Sequence, residues 1–208
     1  MRVQRTFAFA DLCGFTHFTN RHGDERAVDV LTRFRGVVRE IGSSYGVRVA
    51  KWLGDGAMFV STTCEPAVES ILHLVGRADE VGVRLPLRAG LAAGPVILFE
   101  GDDYIGGPVN LAARLCDAAE PRELLATAEL ADAVPPWADA VPVGPRDISG
   151  FPTAIDVVRV EASVALPVAG AGRYRRRSWA SRPTRRCGSS DTSTSGGCGS
   201  TGPRGSTR

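Results

Sequence analysis

Val47-Arg48-Val49-Ala50-Lys51-Trp52-Leu53-Gly54-Asp55-Gly56-Ala57-Met58-Phe59-Val60 is a pair of strand-like runs around a Gly-Asp-Gly turn. β-Branched and aromatic residues dominate positions 47–53 and 57–61, and the two glycines supply the backbone freedom of a tight reversal. The stretch therefore reads as a β-hairpin with Asp55 on its turn. Lys51 is the only lysine in a chain of 208 residues that otherwise uses arginine. An ammonium is a compact donor suited to a single ring nitrogen, whereas a guanidinium fork prefers carboxylate or phosphate. The plain alternative is a solvated strand lysine.

Working outward, Thr6-Phe7-Ala8-Phe9-Ala10-Asp11 is a buried-strand candidate that ends on a carboxylate, and Leu12-Cys13-Gly14-Phe15-Thr16 turns the chain. Apolar residues from Phe18 to Ile41 fall at spacings of three and four, which predicts one or two amphipathic helices over residues 17–43, stopped by Gly42 and Gly46. After the hairpin, Ala67, Val68, Ile71, Leu72, Leu74 and Val75 repeat the helical spacing behind Glu65-Pro66. Residues 85–99 read as a strand pair or one long bent strand, broken by Gly90, Gly94 and Pro95. A glycine-containing link over 101–107 precedes a helix over 109–119, on which Asn110 and Arg114 share a face. Residues 124–134 read as a further short helix, closed by Pro135-Pro136. Residues 140–143 and 154–160 read as final strands around Gly150-Phe151-Pro152. The pattern is α+β, a mostly antiparallel sheet with helices packed on one face.

Net charge of +2 conceals an uneven chain. Residues 1–164 carry a balance of −6 and residues 165–208 a balance of +8. The expected organisation is one folded unit over residues 1–163 and a disordered basic tail over 164–208, rich in Arg, Ser, Gly and Thr. The tail is open to three explanations: a linker, a basic tether, or the product of a shifted reading frame. It lacks an aromatic platform, so a specific nucleic-acid partner is not expected. Five cysteines form no CxxC pair and no zinc-like spacing, which suits a reducing compartment. No signal peptide and no transmembrane segment is expected, and the protein reads as cytoplasmic.

Three constellations carry chemistry. Asp11 and Asp55 each end a strand beside a glycine; hard oxygen donors so placed suit Mg²⁺ or Mn²⁺, and two carboxylates brought together need a cation between them. Either alone also fits a turn or cap residue. Gly14 lets the backbone approach a ligand, and the amides around Phe15 and Thr16 open a helix N-terminus suited to phosphates. Asn110 and Arg114 present an amide and a guanidinium on one helical face; pairing of Arg114 with Asp117 is the plain alternative.

In this order, Phe9-Ala10-Asp11-Leu12-Cys13-Gly14-Phe15-Thr16, Lys51-Trp52-Leu53-Gly54-Asp55, Gly94-Pro95-Val96 and Val109-Asn110-Leu111-Ala112-Ala113-Arg114-Leu115 resemble the catalytic domain of class III nucleotidyl cyclases, over roughly residues 4–161. The resemblance implies that family's ferredoxin-like, palm-like α+β architecture. It implies that Asp11 and Asp55, with the backbone carbonyl of Leu12, bind two Mg²⁺ or Mn²⁺ ions. Lys51 and Asp103 would read the purine, with Asp102 open as the alternative to Asp103. Asn110 would orient the ribose, and Arg114 would stabilise the transition-state phosphate. A lysine beside an aspartate complements adenine, so the implied activity is adenylate cyclase acting on ATP. A catalytically silent cyclase-like domain and a guanylate cyclase are the alternatives. The implied assembly is a head-to-tail homodimer with two shared sites and an inactive monomer. The short segment between Val96 and Asp103 resembles compact bacterial domains.

Overall fold

The computed structural model describes residues 1–80, 85–101 and 103–163; the expected tail and Asp102 lie outside them. The chain runs β1 (Arg2–Leu12), α1 (Phe15–His22), α2 (Asp24–Tyr45), β2 (Arg48–Leu53), β3 (Gly56–Ser61), α3 (Cys64–Glu80), β4 (Leu87–Phe99), β5 (Asp103–Ile105), α4 (Gly107–Ala118) and β6 (Leu124–Thr127). A 3₁₀ turn (Ala128–Ala133), β7 (Ala138–Arg146) and β8 (Ile155–Ala162) complete it. The strands form one sheet in the order β2-β3-β1-β4-β6-β8-β7, with β5 added to β4. Every pairing is antiparallel except β4 with β6, the two strands that α4 connects. This is the expected α+β class, and no helix among the described residues is long and apolar enough to cross a membrane.

Alternation along the strands assigns their two faces. Ala8, Ala10, Leu12, Phe59, Ala89 and Leu91 face Phe34, Val38 and Ile41 of α2 and Val68, Ile71 and Leu74 of α3 in one core. Phe7, Met58, Val60, Ala92 and Val96 face the other way and pack with Ala112 of α4. The expectation of helices on one face is thus corrected: α4 lies on the face opposite α2 and α3. Two glycines at even positions of β4 make room for it. A Cβ at Gly90 would lie 2.2 Å from the Cys116 nitrogen and 2.4 Å from the Ala112 oxygen, and one at Gly94 would lie 2.6 Å from Pro108 Cγ. Gly90 therefore does not interrupt the strand; it seats a helix.

Four other expectations are refined. Residues 85–99 resolve into the single long strand β4, and the link before α4 includes β5. Gly42 does not stop α2; it sits inside the helix against the Val47 carbonyl, and Gly46 in the left-handed region ends it. Residues 124–127 form β6 and not the start of a helix. All four are buried between β4 and β8, where strand pairing satisfies the main chain; a short apolar run does not by itself distinguish these states.

Candidate active site

β1 ends in the middle of the sheet, and its register fixes what surrounds Asp11. Gly56 of β3 stands opposite on one side and Arg88 of β4 on the other. Arg88 crosses to Asp11 with Nη2 3.0 Å and Nε 3.3 Å from Oδ2, and its Nη1 donates to the Asp117 carbonyl at 2.9 Å. One guanidinium thus ties Asp11 to the last turn of α4. Sequence reasoning missed Arg88; the available signal was a lone charge within the apolar run Leu87-Arg88-Ala89.

Asp55 sits on the β2–β3 turn, one residue before Gly56. Burial raises its pKa above the ordinary carboxylate value, and the negative charge of Asp11 raises it further. Gly56 leaves the space between them open: a Cβ there would lie 3.1 Å from Asp11 Oδ1. The turn is braced from behind by α2. Arg35 donates to the Gly54 carbonyl at 3.4 Å, and the guanidinium carbons of Arg35 and Arg39 lie 5.1 and 5.3 Å from the centre of the Trp52 ring.

Gly14 adopts φ +77°, the left-handed conformation that turns the chain directly into α1, and its carbonyl accepts from the Phe18 amide. The turn walls a cavity of about 440 Å³ lined by residues 11–16, Arg88 and residues 117–121. Asp11, Leu12, Gly14, Phe15 and Thr16 thus all border one space. Cys116 is buried just outside it, and burial, then the charge of Asp11, pushes its thiol pKa up to about 12, so it stays protonated.

Lys51 and Asp103 meet on the same side of the sheet as α4. Lys51 Nζ lies 2.6 Å from Asp103 Oδ1, with both side chains about half exposed. Asn110 and Arg114 occupy the exposed face of α4, away from the stripe that packs on β4. Arg114 lies 3.6 Å from Asp117, the partner expected from spacing. Lys51, Asp103, Asn110 and Arg114 all lie outside the lining of the cavity, and so does Asp55. Among the described residues no cluster of three or more His, Cys, Asp or Glu side chains could hold a metal.

No family model matches the chain. Its fold superposes on the adenylyl cyclase CyaB of P. aeruginosa with a TM-score of 0.71 and 25% identity, over 79% of this chain and 96% of that one. This chain carries a class III nucleotidyl cyclase catalytic domain. The cyclase domain is 32% identical over 162 residues to a pH-sensitive adenylate cyclase of Mycobacterium tuberculosis, covering 76% of this chain and 40% of that protein. It is 41% identical over 143 residues to an uncharacterized protein of the same species, covering 69% of this chain and 37% of that protein. The chain thus spans less than half the length of these curated relatives. Guanylyl cyclase domains share the cyclase fold at lower identity.

Proposed function

We propose that the chain is an adenylate cyclase that converts ATP to 3′,5′-cyclic AMP and pyrophosphate. The observation that carries this is the half-exposed Lys51–Asp103 pair at 2.6 Å, a donor beside an acceptor. Adenine presents an amino donor at C6 and an acceptor at N1, the complement of that pair. Guanine reverses both and would set its carbonyl against Asp103.

The remaining groups have roles that follow from their chemistry. Asn110 orients the ribose, and Arg114 offsets the negative charge that builds on the α-phosphoryl oxygens as the 3′ oxygen attacks and pyrophosphate leaves. No protein nucleophile takes part; positioning and electrostatics lower the barrier. The amides at Phe15 and Thr16, beyond the Gly14 turn, face the triphosphate, and Arg88 adds positive charge to the same cavity. Asp11 and Asp55 suit hard divalent cations: they are oxygen donors, and the raised pKa of Asp55 reflects burial and then the negative charge of Asp11. With the Leu12 carbonyl they would hold two Mg²⁺ or Mn²⁺, which supply a lowered pKa for the 3′ hydroxyl and neutralise phosphate charge.

Asp11 and the Gly14 turn line the cavity while Lys51, Asp103, Asn110 and Arg114 do not, and this supports a shared site. In a head-to-tail homodimer one protomer supplies Asp11 and Asp55, and its partner supplies the purine pair, the ribose amide and the arginine. Purified protein given ATP or GTP with Mn²⁺ or Mg²⁺ tests the activity. Cyclic AMP is the expected main product, and Asp55→Ala and Arg114→Ala should each lower the rate by more than about 100-fold. Rates within threefold of wild type in either variant would overturn the assignment, and ATP binding without any cyclic product would make the domain catalytically silent.

A further inference from the structure

Lys51 and Asp103 belong to strands with no main-chain connection. β2 is the outermost strand, β3 and β1 stand between it and β4, and β5 pairs only with β4 among the described strands, through three residues. Their ion pair is half exposed, and a pair of that kind contributes little on its own while the lysine stem keeps its rotamer freedom. Something else has to set the spacing of donor and acceptor.

A second bridge runs beside the first. Arg48 Nη2 donates to Tyr104 Oη at 3.2 Å, and the Arg48 guanidinium carbon lies 5.8 Å from the centre of the Tyr104 ring. The Tyr104 ring meets Phe7 edge-on, with centroids 5.3 Å apart at 68°, and Phe7 is fully buried at the centre of the sheet. The bridge is therefore anchored in the core.

The backbone of β2 explains why both bridges form. Arg48 and Lys51 are three apart, so in a regular strand they would point to opposite faces. The pairing with β3 slips between Val49 and Lys51: Val49 stands opposite Phe59, and Lys51, not Ala50, stands opposite Met58. That bulge inserts one residue and turns Lys51 to the face of Arg48. Arg48 and Lys51 then reach the adjacent residues Tyr104 and Asp103.

We propose that Arg48 and Tyr104 are positioning residues for purine selection, holding the Lys51–Asp103 pair at the spacing that adenine requires. The proposal rests on the reading of that pair as the purine site. It predicts loss of discrimination at the purine edge and leaves the phosphate-binding cavity, at the far end of α4, unaffected.

The test uses equilibrium binding of 3′-deoxy-ATP and 3′-deoxy-ITP with Mg²⁺. These nucleotides differ only at C6 and N1 of the purine, and without the 3′ hydroxyl they do not turn over. Wild type should favour the adenine nucleotide. Tyr104→Phe, which keeps the ring on Phe7, and Arg48→Gln should each lower that preference about tenfold. The double variant should lose no more than either single change, because the two act as a unit. An unchanged preference in both single variants would overturn the proposal, as would equal weakening toward both nucleotides, which marks general structural damage. Lys51→Ala separates the underlying reading: if wild type shows no preference, or Lys51→Ala leaves it intact, the purine assignment itself fails and this proposal with it. If Lys51→Ala abolishes the preference while Tyr104→Phe and Arg48→Gln retain it, only the positioning role is lost.

Discussion

At the scale of single residues, the site is held together by charges that meet across strands. Asp55 is the least comfortable of them, its pKa raised first by burial and then by Asp11. A carboxyl whose folded pKa lies above its unfolded value binds its proton more firmly in the native state. Its contribution to stability is therefore lost as pH rises from the unfolded value through the folded one, and at neutral pH the ionised group is a cost. Asp55→Asn should accordingly melt no lower than wild type at pH 7 without divalent cations. Mn²⁺ should raise the melting temperature of wild type and not that of the variant, while cyclase activity falls by more than about 100-fold. Thermal denaturation with and without Mn²⁺ checks both; a variant that melts lower without metal contradicts the repulsion. Asp11 and Asp55 were legible as carboxylates at strand ends. Arg88 was not, because its role comes from standing opposite Asp11 in a register that pairs residues 77 positions apart.

At the scale of elements, α4 and β4 decide where Asn110 and Arg114 point. Backbone atoms of α4 lie within 2.2–2.7 Å of where a Cβ at Gly90 would be, and main chain cannot yield as a flexible side-chain end can. Gly90→Ala should push the helix off the strand, costing roughly 1–3 kcal/mol by overpacking and lowering activity through displacement of Arg114. Gly36→Ala is the control: Gly36 lies on the exposed side of α2 with nothing within 4 Å of a new Cβ, and should stabilise by up to about 1 kcal/mol. Denaturant melts of the two variants decide the matter; equal stability would mean that α4 is not seated as described. Helical spacing in the sequence was enough to put Asn110 and Arg114 on one face. It could not show which side of the sheet α4 covers, since that depends on two glycines in a different element. Residues 124–127 failed for a related reason: four apolar residues suit helix or strand, and burial between β4 and β8 settles the choice.

At the scale of the whole molecule, the proposed groups fall into two sets: Asp11 of the first lines the cavity, and no member of the second does. Mixing inactive Asp55→Ala with inactive Arg114→Ala should restore activity. In random reassociation half the dimers are mixed and each keeps one intact site of two, so recovery should approach about a quarter of wild type. Mixed dimers demonstrated by tag capture but lacking activity would count against the shared site. By itself the sequence determined the hairpin, the helices read over residues 17–43 and 67–75, the α+β class and the identities of the groups offered for chemistry. Those follow from periodicity and turn residues, which are local and act through near neighbours in the chain. Lys51 with Asp103 was implied by the family resemblance, while the tertiary structure alone decided that Asp11 meets Arg88 and that Arg48 meets the Tyr104 hydroxyl. Those pairings depend on strand register, on one bulge in β2 and on the path of β4 and β5 across the sheet, and no local signal carries them. The Lys51 that stood out as a composition oddity thus has a partner 52 residues away in the chain, Asp103.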